Sequence, residues 1–163
     1  MTASFIFASP IGMITIERSK NGIARVDITA DAQKTDANPA DELLASARQQ
    51  VMEYIAGNRK IFDLPLDWSG TTAFQAEVLR LTLDIPFGQV RTYGELAIAL
   101  GKPAASRAAG GALARNPLPL LIPCHRVVAS SGALTGYSAA GGIATKARLL
   151  EMEGHRVVGK KLG

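Results

Sequence analysis

The pair Asn21-Gly22 is followed by Ile23–Ile28, a run in which apolar and polar residues alternate. Alternation of period two buries one face of a strand and leaves the other wet. An Asn-Gly pair at the head of such a run fits a type I′ turn, whose central residues both need positive φ. The sequence therefore predicts a hairpin with its turn at Asn21-Gly22 and a partner strand at Met13–Arg18. Ser4–Ala8, across Pro10-Ile11-Gly12, predicts one more strand. After a polar loop, Asn38 can cap a helix with Pro39 at its first position. Leu43, Leu44, Ala47, Val51, Tyr54 and Ile55 then recur at helical spacing until Gly57. Lys60–Leu66 reads as an edge strand interrupted by Pro65.

Beyond Asp67–Gly70 the signals become helical. Thr72-Ala-Phe-Gln75 and Thr92-Tyr-Gly-Glu95 are both capping-box patterns. The first predicts a helix carrying Phe74, Val78, Leu81 and Leu83, stopped by Ile85-Pro-Phe-Gly88. The second predicts a short helix ending at Gly101, after which Pro103 starts another that runs to Asn116-Pro117. Helix, glycine-containing turn and helix make a helix-turn-helix outline. The last of these helices carries Arg107, Ser106 and Leu113 among alanines and glycines. Such a helix suits either close packing or insertion into a narrow groove with one long cationic probe.

With 163 residues the chain has room for one domain or two small ones. Its 47% hydrophobic and 20% charged residues exclude a largely disordered chain. Apolar runs end at Pro or Gly well short of a membrane span, and MTASFIFASP lacks the basic start and long apolar stretch of a secretory signal. One cysteine and two histidines argue against an internal disulfide and against structural zinc. A soluble, intracellular globule without metal is expected. Charge is uneven: residues 1–87 carry 8 Lys/Arg against 11 Asp/Glu, whereas residues 88–163 carry 10 against 3. The second half thus faces a polyanion or simply presents a solvated basic surface.

Chemistry concentrates in Leu118–Val128, LPLLIPCHRVV. Cys124 lies in an apolar run, where a free thiol is commonly an inert small hydrophobe. Its neighbour His125 opens the other reading, because a nucleophilic cysteine needs a base or cation to form thiolate. Adjacent residues on a strand point to opposite faces, so a turn at Pro123 or a bridging water would be required.

IPCHRVV, preceded by Asn116-Pro117 and followed by Ser-Gly-Ala-Leu-Thr-Gly-Tyr137, resembles the active-site signature of the O6-alkylguanine-DNA alkyltransferase family. The resemblance runs back through GQVRTYGELA and SRAAGGALARNP and forward through Lys146, Leu149-Leu150 and Glu153-Gly154, covering roughly Thr71 to His155. It implies an α+β fold. A strand-rich α/β domain (residues 1–68) would support a mostly helical domain (residues 69–163) with a winged-helix-like helix-turn-helix.

The resemblance also implies roles. Cys124 would take the alkyl group, His125 would act as its base through a water, and Glu153 would orient and charge-balance the histidine. Asn116 would tie the active-site segment to the recognition helix. Tyr93 would crowd a phosphate and donate to the leaving base, Tyr137 and Ser138 would line the guanine pocket, and Lys146 would stabilise it. Arg107 would fill the space of the extruded nucleotide. Ala105, Ser106, Gly110 and Arg115 would accompany it in the minor groove, which is read without much sequence preference.

The implied activity is irreversible transfer from O6-alkylguanine, and from O4-alkylthymine, with no cofactor or metal. The implied partner is double-stranded DNA, bound by a monomer in the cytoplasm, at the nucleoid in a bacterium or in the nucleus of a eukaryote. One departure stands out: Tyr137 to Lys146 is two residues longer than the family spacing, with Ala139-Ala140 extra. A cysteine hydrolase, or a helix-turn-helix regulator with an inert buried thiol, is the alternative the residues alone leave open.

Overall fold

The computed structural model describes residues 2–30, 40–137, 139 and 141–163. It divides into two compact units, Met1–Gly70 and Thr71–Gly163.

In the first unit, β1 (Ala3–Ser9), β2 (Gly12–Ser19) and β3 (Gly22–Thr29) form an antiparallel sheet in the order β1-β2-β3. Register places Phe5 opposite Ile16 and Ile16 opposite Val26, then Phe7 opposite Ile14 and Ile14 opposite Ile28. All six side chains are buried, so the two-residue period produces continuous cross-strand apolar rows. Helix α1 (Glu42–Ile55) covers β1 and β2 with Leu44, Ala47, Val51 and Tyr54.

Three expectations change here. The second hairpin forms, but Ser19 pairs with Gly22, so Lys20-Asn21 make the turn. Asn21 is not at positive φ, and the turn is therefore not type I′. Gly22 serves another purpose: at φ 140°, a Cβ on it would lie 2.5 Å from the Pro65 carbonyl oxygen. Tertiary contact rather than turn chemistry requires glycine at that position. Lys60–Leu66 is not a strand either, since only Leu66 bridges to Ile23. Helix α1 begins at Glu42 because the Asp41 carboxylate caps it, accepting from Leu44 N at 3.0 Å while pairing with Arg18 at 3.0 Å. The Leu44 bond, followed by Arg18, holds the Asp41 carboxyl below its usual range. Asn38 and Pro39 lie outside the described residues.

The second unit holds α2 (Ala73–Leu83), β4 (Arg91–Thr92), α3 (Tyr93–Ala99), α4 (Ser106–Ala114), β5 (Val127–Val128), α5 (Ile143–Met152), β6 (Val157–Val158) and β7 (Lys161–Leu162). Thr72 and Thr92 cap α2 and α3 as their spacing predicts, accepting from Gln75 N and Glu95 N at 3.1 Å. The Gln75 amide does not close its capping box. It reaches across to donate to the carbonyls of Ala112 and Arg115 at the end of α4.

Helix α2 buries Gln75, Ala76, Val78, Leu79 and Thr82, whereas Leu83 is exposed and Phe74 packs beneath Lys102 instead. Helix α3 ends in a Schellman turn, with Gly101 at φ 73° and Lys102 N donating to Ala97 O. Helix α4 starts at Ser106, three residues later than Pro103 implies, because Pro103 and Ala104 belong to the turn between the helices. Ala109 and Ala112 are fully buried, and α4 contacts both α2 and α3, so small residues let the three helices pack closely.

Gln50 links α1 to the segment that follows it: its amide oxygen accepts from Asp63 N at 2.8 Å and its amide nitrogen donates to Asp63 O at 3.1 Å. Gln50→Met keeps the volume but leaves both Asp63 groups facing an apolar chain. Urea denaturation should show a loss of about 1–3 kcal/mol; a change of only a few tenths would mean that these bonds contribute nothing net.

Candidate active site

Proline at 123 breaks extended structure, and Cys124–Arg126 close a single 3-10 turn in which Arg126 N donates to Pro123 O at 2.9 Å. That turn removes the strand-alternation problem for Cys124 and His125. Ahead of it, Asn116 clamps the Leu118–Ile122 segment at both ends. Its oxygen accepts from Leu118 N at 2.9 Å, and its nitrogen donates to Ile122 O at 3.0 Å. Between those bonds Leu120 sits at φ 74°, the one non-glycine at positive φ among the described residues. Such a conformation costs of order 1–3 kcal/mol and persists only where its surroundings over-determine it.

The parallel pairing of Arg91 with Val127 and Thr92 with Val128 sets Tyr93, just after β4, beside the cysteine turn, just before β5. A cavity of about 330 Å³ opens there, lined by Tyr93, Ser106, Arg107, Gly110, Cys124 and Tyr137 of the expected residues. Leu113, Ala114, Thr135 and Gly136 complete its walls. Arg107 is exposed at the surface of α4 while lining this space. Ala105 and Arg115 flank α4 as its caps and do not line the cavity. Ser138 and Ala140 lie outside the described residues.

Behind the cavity sits a buried polar cluster. Gly154, at φ 97°, ends α5 in a Schellman turn and leaves Glu153 as the C-cap, its carboxylate fully buried. A negative charge at a helix C-terminus opposes the helix dipole and needs compensation. Arg126 supplies it with two bonds, Nε to Oε1 at 2.8 Å and Nη2 to Oε2 at 3.0 Å. Gly88 N also donates to Oε1, and His125 Nε2 lies 2.7 Å from Oε2. A carboxylate only accepts, so the proton of a neutral His125 belongs on Nε2 and its basic nitrogen is Nδ1. Burial pushes the His125 pKa down, against the raising effect of Glu153, with Arg126 and Lys146 adding to the depression.

Arg126 is one residue that sequence reasoning missed. It adjoins His125 in the signature, and only the fold reveals that it, more than the histidine, balances Glu153.

Lys146, fully buried on α5, donates to Val127 O at 2.6 Å and Thr135 O at 2.9 Å and lies 5.8 Å from the Tyr93 ring centre. Desolvation lowers its pKa to about 8. Tyr93 Oη donates to Thr135 O at 3.2 Å and accepts from Thr135 Oγ1 at 3.0 Å, so Thr135 joins both expected residues. The Cys124 thiol is pushed up by burial, with the Asn116 amide and the Lys146 charge opposing that shift. The resting site therefore holds a neutral thiol beside a neutral imidazole, with Lys146 as the cation placed to favour thiolate. Among the described residues no three of His, Cys, Asp and Glu come together to hold a metal ion. No described helix is long and apolar enough to cross a membrane.

The same two units are matched by two family models. Residues 4–68 match the ribonuclease-like domain of 6-O-methylguanine DNA methyltransferase, and residues 73–155 match its DNA binding domain. The chain belongs to the 6-O-methylguanine DNA methyltransferase family. Methylated-DNA–protein-cysteine methyltransferase of Methanosarcina acetivorans is 40% identical over 153 residues, covering 91% of this chain and 96% of the relative. The constitutive enzyme of that name from Bacillus subtilis is 41% identical over 138 residues, 80% of this chain and 82% of its own. The crystal structure of Mycobacterium tuberculosis O6-methylguanine methyltransferase superposes with a TM-score of 0.82 at 37% identity, covering 94% of this chain and 93% of that one. A structure of the M. tuberculosis protein in complex with DNA gives 0.80 at 38% identity, with 92% of each chain covered. The one cysteine of this methyltransferase-family chain lines the cavity.

The Glu153–Arg126 pair should behave as a buried unit. Glu153→Gln strands the guanidinium and should cost about 3–5 kcal/mol in urea denaturation. Arg126→Met should cost a similar amount, and the double variant less than the sum of the two. Additive losses would mean that the pair is not energetically coupled.

Proposed function

We propose that this chain repairs DNA directly by moving the alkyl group of O6-alkylguanine, and of O4-alkylthymine, onto Cys124 in one irreversible turnover. The observation that carries the reading is that the only cysteine of the chain lines a cavity together with Tyr93, Arg107 and Tyr137. The S–C bond forms as the C–O6 bond breaks. The thiol proton leaves through His125, by way of a water, and the departing guanine takes a proton donated by Tyr93. Water takes the proton from His125 and returns one to Tyr93, so that one proton passes net from the thiol to the base. A thioether is not reversed by simple hydrolysis, so each molecule acts once and needs no cofactor.

Lys146 favours both thiolate and the polarised Tyr93 hydroxyl, and Glu153 with Arg126 fixes the His125 ring. Asn116 couples the cysteine turn to α4. DNA is the partner, and α4 is assigned to its minor groove with Ala105, Ser106, Gly110 and Arg115 alongside. A base inside a stack is unreachable, so the damaged nucleotide rotates out at a cost of a few kcal/mol. Arg107, the one long side chain of α4 that reaches the cavity, fills the vacated stack. Residues 1–68 act as a supporting domain and residues 69–163 as the transferring one, in a monomer of the cytoplasm or nucleoid.

Intact mass after incubation with duplex DNA containing O6-methylguanine should rise by one methylene unit, located on the Cys124 peptide. Cys124→Ser should show no gain while still binding the duplex, because an alcohol is not ionised by a histidine relay at neutral pH. Repair of many adducts per molecule would overturn the single-turnover mechanism.

Arg107→Ala should slow repair of duplex DNA by about 10–100-fold, the rate equivalent of part of the extrusion cost. Its reaction with free O6-benzylguanine, which needs no extrusion, should stay within roughly twofold of the unaltered chain. Equal losses on both substrates would assign Arg107 to folding or to the chemistry itself.

A further inference from the structure

The chain continues past the end of the matched DNA binding domain at residue 155, and this last segment is a fixed, cationic hairpin. Strands β6 and β7 pair antiparallel, Val157 with Leu162 and Val158 with Lys161. Residues 155–163 contain Arg156, Lys160 and Lys161 and no acid. All three cations are exposed, and none belongs to an ion pair among the described residues.

Their backbone is tightly held. Leu134 N donates to Lys160 O at 2.8 Å, Leu162 N to Gly132 O at 3.0 Å and Gly163 N to Arg156 O at 2.9 Å, and Ala133 bridges to Lys161. Val157 and Leu162 pack on the buried cluster of Val128, Leu134 and Leu150. The strip that the hairpin grips runs directly into Thr135, Gly136 and Tyr137, the wall of the cavity. One residue, Leu134, separates Ala133, opposite Lys161, from Thr135, which limits the Cα atoms of Ala133 and Thr135 to about 7 Å apart. Unpaired cations anchored beside the site of reaction have a fixed address rather than the free solvation of a loose tail.

We propose that this hairpin is a second DNA contact, in which Arg156, Lys160 and Lys161 engage backbone phosphates of the duplex next to the cavity. The inference rests on the reading of the chain as a DNA repair alkyltransferase. Phosphate contacts fix the position of a protein on a duplex without reading its sequence, which suits repair at any site. They release counterions, so each one steepens the fall of affinity with salt.

The test compares the unaltered chain with Arg156→Gln/Lys160→Gln/Lys161→Gln in binding to an undamaged duplex from 50 to 200 mM salt. The slope of log affinity against log salt should become shallower by about 2–3, close to 0.9 per lost contact. Reaction with free O6-benzylguanine, which has no phosphates, should be unchanged. An unaltered salt slope overturns the proposal. So does a fall in the free-base rate with an unaltered slope, because the hairpin would then only brace the pocket wall. Neither outcome touches the alkyltransferase reading, which fails separately if the unaltered chain gains no mass from O6-methylguanine DNA.

Discussion

The buried Glu153 carboxylate is the tie on which the geometry of the second unit depends. It stands at the end of α5 and accepts from Arg126 and His125 in the cysteine turn and from Gly88 in the loop after α2. Arg126 adds a further bond to Ile85 O at 2.7 Å and lies over the Phe87 ring. Three segments distant in sequence thus converge on one charge. Breaking such a pair costs more than forming it gains, because the partner left behind is an uncompensated buried ion. What the cluster contributes is position: it fixes His125 while leaving Cys124 at the cavity.

Rigidity in front of the cluster has a second source. Asn116 closes the Leu118–Ile122 segment with two side-chain bonds, and Leu120 within it holds a conformation that L residues seldom adopt. The favourable bonds and the strained residue lie on the same short loop, which leads into Cys124. Across the cavity, the Thr135 carbonyl receives both Lys146 and Tyr93, and the Thr135 hydroxyl returns a bond to Tyr93. Lys146 shares its cationic charge with an environment that makes it expensive, which is why its pKa falls to about 8. Burial thus keeps the thiol and the imidazole of the pocket neutral and brings only Lys146 close to neutral pH.

The first unit relies on different physics. Its sheet rests on paired apolar rows and one covering helix, and its polar links, Arg18 to Asp41 and Gln50 to Asp63, join segments rather than form a site. Glycine at position 22 shows how tertiary packing takes over a residue that local turn chemistry would otherwise claim.

Elements governed by local rules were legible from the chain alone. The three strands, the Thr72 and Thr92 caps, the glycine-terminated helices and the turn that carries Cys124 in its Pro-Cys-His-Arg setting all depend on neighbours within a few residues. Local signals failed where a distant partner decided the outcome. The turn moved to Lys20-Asn21, Gln75 left its own cap for the end of α4, and Lys60–Leu66 kept only one bridge. Arg126 and Thr135 had no sequence signal of their own, because their importance is a matter of what lies within 3 Å of them after folding. The sequence by itself determined which side chains could do chemistry and which segments become strands or helices wherever a cap, a glycine or an alternating pattern acts locally. Tertiary structure decided which of those side chains meet and which carry charge, because burial and close approach, unlike propensity, are properties of the folded chain.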